Sequence, residues 1–165
     1  MATLLPKRNA ASPQETPALR LSVQFGKGGQ PARWPLSMPR MRRMALAALT
    51  SRATSAEISL VIVGQAEGQQ LNRQYRHKDY ATNILTFDYA PPPNVVADLV
   101  ICQPVIAAEA RRQGKTLDHH AAHLLIHGVL HACGFDHLQE SQAHEMESLE
   151  VAILRRFRIP DPYST

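Results

Sequence analysis

Cysteine is scarce in this chain, long apolar runs are missing, and the amino-terminal third is almost bare of carboxylates. Cys102 and Cys133 are the two cysteines of 165 residues, and both fall in apolar segments. A disulfide scaffold is therefore not expected, and two buried reduced thiols are. No apolar stretch approaches the roughly 20 residues that a membrane-spanning helix needs, so no membrane partner is expected. Residues 1–17 contain Lys7, Arg8, Pro6, Pro13 and Pro17 without a signal-type apolar core, which argues against secretion and for the cytoplasm. Up to residue 54, Glu15 is the only carboxylate against nine Lys and Arg, a net charge of +8, whereas the remainder nets −4. A basic segment joined to a more acidic body has two readings. It serves a polyanion, nucleic acid first among them, or it is a solvated arm whose charge aids solubility.

What is present reads as one domain, long enough to bury about 70% of its extended surface, with no internal repeat. Leu19, Leu21, Val23 and Phe25 alternate with Arg20, Ser22 and Gln24, the period of a half-buried strand. Met41, Met44, Ala45, Ala48 and Leu49 form a helical stripe over 39–52, and the branched run 58–63 predicts a buried strand. A helix over 67–76 should turn Leu71 and Tyr75 inward. Strands over 83–89 and 98–102 follow, parted by Pro91, Pro92 and Pro93. Pro104 suits the first turn of a helix that Gly114 ends, and Thr116 can cap the next, which runs to Cys133 and is apolar on nearly every side. A last helix over 139–157 places Met146, Leu149, Ile153 and Leu154 inward and Glu140, Glu145, Glu147 and Glu150 outward. This order indicates an α+β fold: a small mixed sheet of about four strands packed against about five helices, with the histidine-bearing helix buried at the centre. Residues 1–17 read as a disordered tail, 18–160 as a single domain and 161–165 as a carboxy-terminal tail.

The chemistry concentrates in His127-Gly-Val-Leu-His131-Ala-Cys-Gly134-Phe-Asp136-His137. His127 and His131, four apart, share a helix face. Gly134 offers the left-handed turn that lets the chain double back and bring His137 to the same point. Three imidazoles converging this way suit one zinc with an open position for water, whose pKa the metal lowers to about 7. Without a metal, two imidazoles stacked on an apolar face would lack partners. No fourth Cys or His follows at ligand spacing, which disfavours a closed structural zinc. His123, one turn earlier, either replaces a ligand or supports one from behind, and its distance from His137 favours support. Asp136 caps the turn or orients an imidazole. The spacing matches the metzincin protease pattern His-Glu-x-x-His-x-x-Gly-x-x-His, but Gly128 stands where that pattern has its general base.

The same run resembles the signature of the YbeY family, metal-dependent endoribonucleases of rRNA maturation. A second block agrees, Leu71-Asn72-x-x-Tyr75-Arg76-x-x-Asp79-x-x-Thr82-Asn83-Ile84-Leu85-Thr86-Phe87, as do Asp98-Leu99-Val100-Ile101 and Asp161-Pro162-Tyr163. Ala81, Thr86 and Ala97 depart from the family's Pro, Ser and Gly. The resemblance implies zinc on His127, His131 and His137 and a catalytic, phosphate-holding role for Arg76. A guanidinium forks onto phosphate and stabilises charge on phosphorus, although a cation in a last helical turn also serves free carbonyls. The implied activity is a single-strand-specific, zinc-dependent endoribonuclease of 16S rRNA 3′-end maturation and ribosome quality control, with metal-bound water or the RNA 2′-hydroxyl as nucleophile. Its implied partners are single-stranded rRNA and the ribosome or ribosomal proteins. A metzincin-like metalloprotease and a non-catalytic ribosome-assembly factor are the competing classes.

Overall fold

A computed structural model describes residues 15–49 and 52–164. The expected tail lies outside the described residues up to position 14, as do Thr50, Ser51 and Thr165. The elements run β1 (Ala18–Phe25), α1 (Met38–Leu49), β2 (Ser55–Val63), α2 (Gln65–Arg76), β3 (Ile84–Ala90), β4 (Asn94–Cys102), α3 (Gln103–Gln113), α4 (Leu117–Ala132) and α5 (Glu140–Arg156), with a short 3-10 turn at Pro31–Arg33.

The four strands lie in the order β1-β2-β4-β3; β1, β2 and β4 are parallel, and β3 runs antiparallel at the edge. The sheet is therefore mixed, and the fold is α+β. Burial follows the period of two that a pleated strand imposes: Ile58, Leu60 and Ile62 of β2 and Leu99 and Ile101 of β4 are fully covered. β4 begins four residues before the position that its apolar run predicts. Val95 and Ala97 continue the pairing with Ala56 and Ile58 of β2, which holds the extra residues in the sheet.

One face of the sheet carries the main core, filled by α1, α4 and α5; the other carries a smaller cluster of Val63, Leu85, Val100 and Cys102 under Leu71 and Val105. α4 is the central element. Ala121, Ala122, Leu125, Ile126, Val129 and Leu130 are fully buried. Each of the larger ones contributes about 1.5–3 kcal/mol of apolar transfer. Gly128 lies where the helix meets β3 and β4. A Cβ there would come within 2.8 Å of Ile84 Cδ1 and 3.1 Å of Leu99 Cδ1, so its missing side chain sets the closeness of the packing.

Cys102 and Cys133 are buried and unpaired, their Sγ atoms on Gly64 O at 3.4 Å and Leu49 O at 3.6 Å. Burial pushes the Cys133 thiol up to about 11 against the opposing charge of Arg52. Tyr75 contradicts the inward assignment, because it is 57% exposed. On α2 the packed face belongs to Gly68 and the fully buried Asn72, whose Nδ2 donates to Tyr80 O at 2.7 Å.

Candidate active site

Thr116 starts the helix that carries the histidines, its hydroxyl accepting from His119 N at 3.4 Å. The helix ends at Cys133, and Gly134 takes φ +94°, a conformation that a side chain would resist. Phe135 then drops into the core, 8% exposed, with the Arg52 guanidinium 3.8 Å over its ring. That anchor swings Asp136 and His137 back over the last turn of α4. The ring centroids of His127 and His131 lie 5.7 and 6.2 Å from that of His137. His131, Asp136 and His137 each offer a donor atom within 4.8 Å of the others.

Two imidazoles and a carboxylate, His131, Asp136 and His137, are a donor set that fits a divalent ion, and the groups behind the His131 and His127 rings fix their orientation. His131 Nδ1 meets Phe135 O at 3.0 Å; a carbonyl only accepts, so Nδ1 donates and Nε2 is the nitrogen left for a metal. His127 Nδ1 meets Glu150 Oε1 at 2.5 Å, which leaves Nε2 of that ring in the same way. Asp136 Oδ1 accepts from His137 N at 2.7 Å and so closes its own turn, while the carboxylate also belongs to the metal-sized cluster. Asp136, expected to cap the turn or orient an imidazole, thus takes a place in the cluster with His131 and His137, whereas His127 borders it without belonging to it.

Glu150 is a correction to the sequence reading, which placed it outward on α5. It is fully buried. Oε1 holds His127, and Oε2 accepts from His123 Nε2 at 3.1 Å and from the Tyr163 hydroxyl in a short contact. Burial alone would raise its pKa, but the hydrogen bonds from His123, His127 and Tyr163 outweigh it and bring the carboxyl from 4.5 down to about 2. Tyr163 moves the opposite way, raised by burial and by its bond to this carboxylate. His123 reaches His127 through Glu150 and by an edge-to-face ring contact with centroids 6.3 Å apart. A signal for Glu150 was present: with Met146, Ile153 and Leu154 it occupies one helical stripe, at spacings of four, three and one.

These groups border a cavity of about 600 Å³. His127, His131, Asp136 and His137 form one side; Arg76 and Tyr75, from the end of α2, and residues 82–87, along β3, form the rest. Among the described residues, Asp136 is the only carboxylate on its lining. The structure therefore gathers Arg76, His127, His131, Asp136 and His137 around one space and leaves His123 behind it. A profile described as Endoribonuclease YbeY matches residues 37–158. The chain belongs to the endoribonuclease YbeY family. It is 51% identical over 147 residues to an Endoribonuclease YbeY of Acidovorax sp. (strain JS42), covering 88% of this chain and 96% of that protein. With one from Bordetella petrii it shares 53% over 162 residues, covering 90% and 99%. The solution structure of TM1509 from Thermotoga maritima superposes with a TM-score of 0.57 at 17% identity, covering 88% of this chain and 97% of that one, which shows the fold.

Membership of the YbeY family makes the chain an enzyme. The packing gives the glycine at 128 a structural reason: a Cβ there would already crowd Ile84 and Leu99.

Proposed function

We propose that this YbeY-family endoribonuclease is a zinc enzyme that cuts single-stranded rRNA, in 16S rRNA 3′-end maturation and in ribosome quality control, as a cytoplasmic protein working with the ribosome or its proteins. The observation that carries the reading is one juxtaposition. The imidazoles of His127, His131 and His137 border the same cavity as the Arg76 guanidinium. In this reading the three histidines hold one zinc, which when bound supplies Lewis-acid polarisation of a phosphoryl oxygen or of water. Arg76 holds the scissile phosphate through its planar pair of donors and stabilises charge that grows on phosphorus. His123 and Glu150 fix the ring of His127, and the Phe135 carbonyl fixes that of His131. Asp136, the one lining carboxylate among the described residues, can either accept a proton or add a ligand.

The metalloprotease reading has one observation in its favour, since β3 is an edge strand and its residues line the cavity, as a peptide-binding strand would. Gly128 stands against it, because the position of the protease glutamate is filled by sheet contacts. RNA digestion by purified wild type, His131→Ala and Arg76→Ala, each with elemental analysis, tests the proposal. Wild type should cleave, and each variant should lose about 100-fold or more in rate, the usual effect of removing a preorganised charge partner. Equal nicking by all three would trace the activity to a contaminant. A substrate with a single 2′-deoxy substitution at the cut identifies the nucleophile, since undiminished cleavage excludes attack by the RNA itself.

A further inference from the structure

We propose that Tyr75 and Phe87 form a nucleobase-stacking subsite beside the histidines, and that this subsite makes the cleft select unpaired RNA over duplex. The inference rests on the RNA reading above and assigns it a physical origin for strand selection. Tyr75 is 57% exposed at the end of α2, although a tyrosine ring gains from burial. Its partner is Phe87 of β3, with ring centroids 4.9 Å apart and planes at 72°. An edge-to-face contact uses one of the pair's four flat faces. The contact thus braces the tyrosine while leaving ring surface open. Both residues border the cavity that His127, His131 and His137 line, with Phe87 also packed against the small cluster of Val63, Leu85, Val100 and Cys102. Tyr80 and Tyr89 are also exposed, yet neither lines that space, and Tyr89 is tied to Asp98 at 3.0 Å.

The neighbours specify the ligand. Arg76 follows Tyr75 directly and borders the same cavity, so a phosphate-binding cation and a flat apolar ring sit side by side, as phosphate and base do in a nucleotide. With Asp136 the only lining carboxylate among the described residues, repulsion of a polyanion is small. A base presents its face to an aromatic ring only when it is unstacked. Bases in a duplex are already stacked and paired, whereas a single strand can turn one toward Tyr75. Aromatic stacking tolerates any base, so this subsite selects strandedness and not sequence.

The test compares wild type, Tyr75→Leu and Tyr75→Phe, with a short single-stranded oligoribonucleotide carrying 2-aminopurine near the cut and the same strand annealed to its complement. Tyr75→Leu should raise KM for the single strand about 5- to 140-fold, the equivalent of about 1–3 kcal/mol of stacking. The effect should be carried by KM and not kcat, with metal content and Tm at wild-type values, and Tyr75→Phe should restore it. The 2-aminopurine fluorescence should be quenched on binding to wild type and to Tyr75→Phe, but not to Tyr75→Leu. The ratio of single-strand to duplex cleavage should fall in the leucine variant. Wild type that cleaves RNA while Tyr75→Leu matches it in KM and quenching would overturn the subsite alone. Wild type that neither binds nor cuts RNA would overturn the subsite together with the function it serves.

Discussion

Replacing Glu150 by glutamine keeps the side chain's shape and removes its charge, which makes it a direct probe of the buried network. Three donors converge on two carboxylate oxygens, His127 Nδ1 on one and His123 Nε2 with the Tyr163 hydroxyl on the other. A carboxamide offers one oxygen and one NH2 group. If its oxygen keeps His127, the NH2 faces His123 and Tyr163. The tyrosine hydroxyl can rotate to accept. His123 can accept only by moving its proton to Nδ1, which is buried without a partner. His123 is left either with the longer contact to the Tyr163 hydroxyl at 3.2 Å or with an unpaired Nδ1, a loss of about 1–3 kcal/mol, and the remaining bond to His127 weakens from charged to neutral by about 1 kcal/mol. Easier burial of a neutral group offsets part of this, leaving a net loss of about 2–3 kcal/mol. For a domain of this size that lowers Tm by about 4–12 °C. Thermal unfolding followed by circular dichroism, with chelator present, reads the apo-protein term. Competition titration should show zinc held about 10- to 100-fold more weakly, because His127 loses the group that orients it. The folded carboxyl is depressed to about 2 from an ordinary 4.5. Its stabilisation is therefore complete above the higher value and lost as pH falls toward the lower, so the Tm gap should narrow over that interval. Tyr163→Phe should cost less in the Glu150→Gln background than in wild type, since the two share one bond. A Tm shift below about 2 °C together with unchanged zinc affinity would refute the reasoning.

Gly128→Ala sets a helix-propensity gain of about 1 kcal/mol against overpacking of about 1–3 kcal/mol onto Ile84 and Leu99. Chemical denaturation should therefore show a small net loss. Gly128→Glu should lose more than about 3 kcal/mol, because its Cβ alone already crowds Ile84 and Leu99 and the rest of the chain adds to the overpacking; a variant as stable as wild type would contradict the packing described for α4. Thr116→Ala removes a cap bond that is long at 3.4 Å, so urea unfolding should show a loss near the lower end of the usual range, about 0.5–1 kcal/mol, with RNA cleavage unaffected.

Much of this architecture is written in short-range pattern. Alternation over β1, branched residues in β2, Pro104 and Gly114 around α3, and the apolar α4 all depend on neighbours within a turn or a pleat, and the order of elements reads off directly. The convergence of His131 and His137 is legible for the same reason, since one helical turn and one glycine bend bring them together. Tyr75 went outward where its spacing pointed inward, because α2 packs through Gly68 and Asn72 instead. Glu150 shows the same limit more sharply. A glutamate amid acidic neighbours reads as solvated unless donors are known to await it. Those donors lie 27, 23 and 13 positions away along the chain, on His123, His127 and Tyr163. Periodicity carries information over about one turn, so the residues alone specify the helix, the bend and the approach of His131 and His137, while the place of Asp136 in their cluster emerges only in the structure. Only the packing of α5 against α4 brings a carboxylate to the back of His127, and only α2 beside β3 sets Arg76 and an open tyrosine ring across from it.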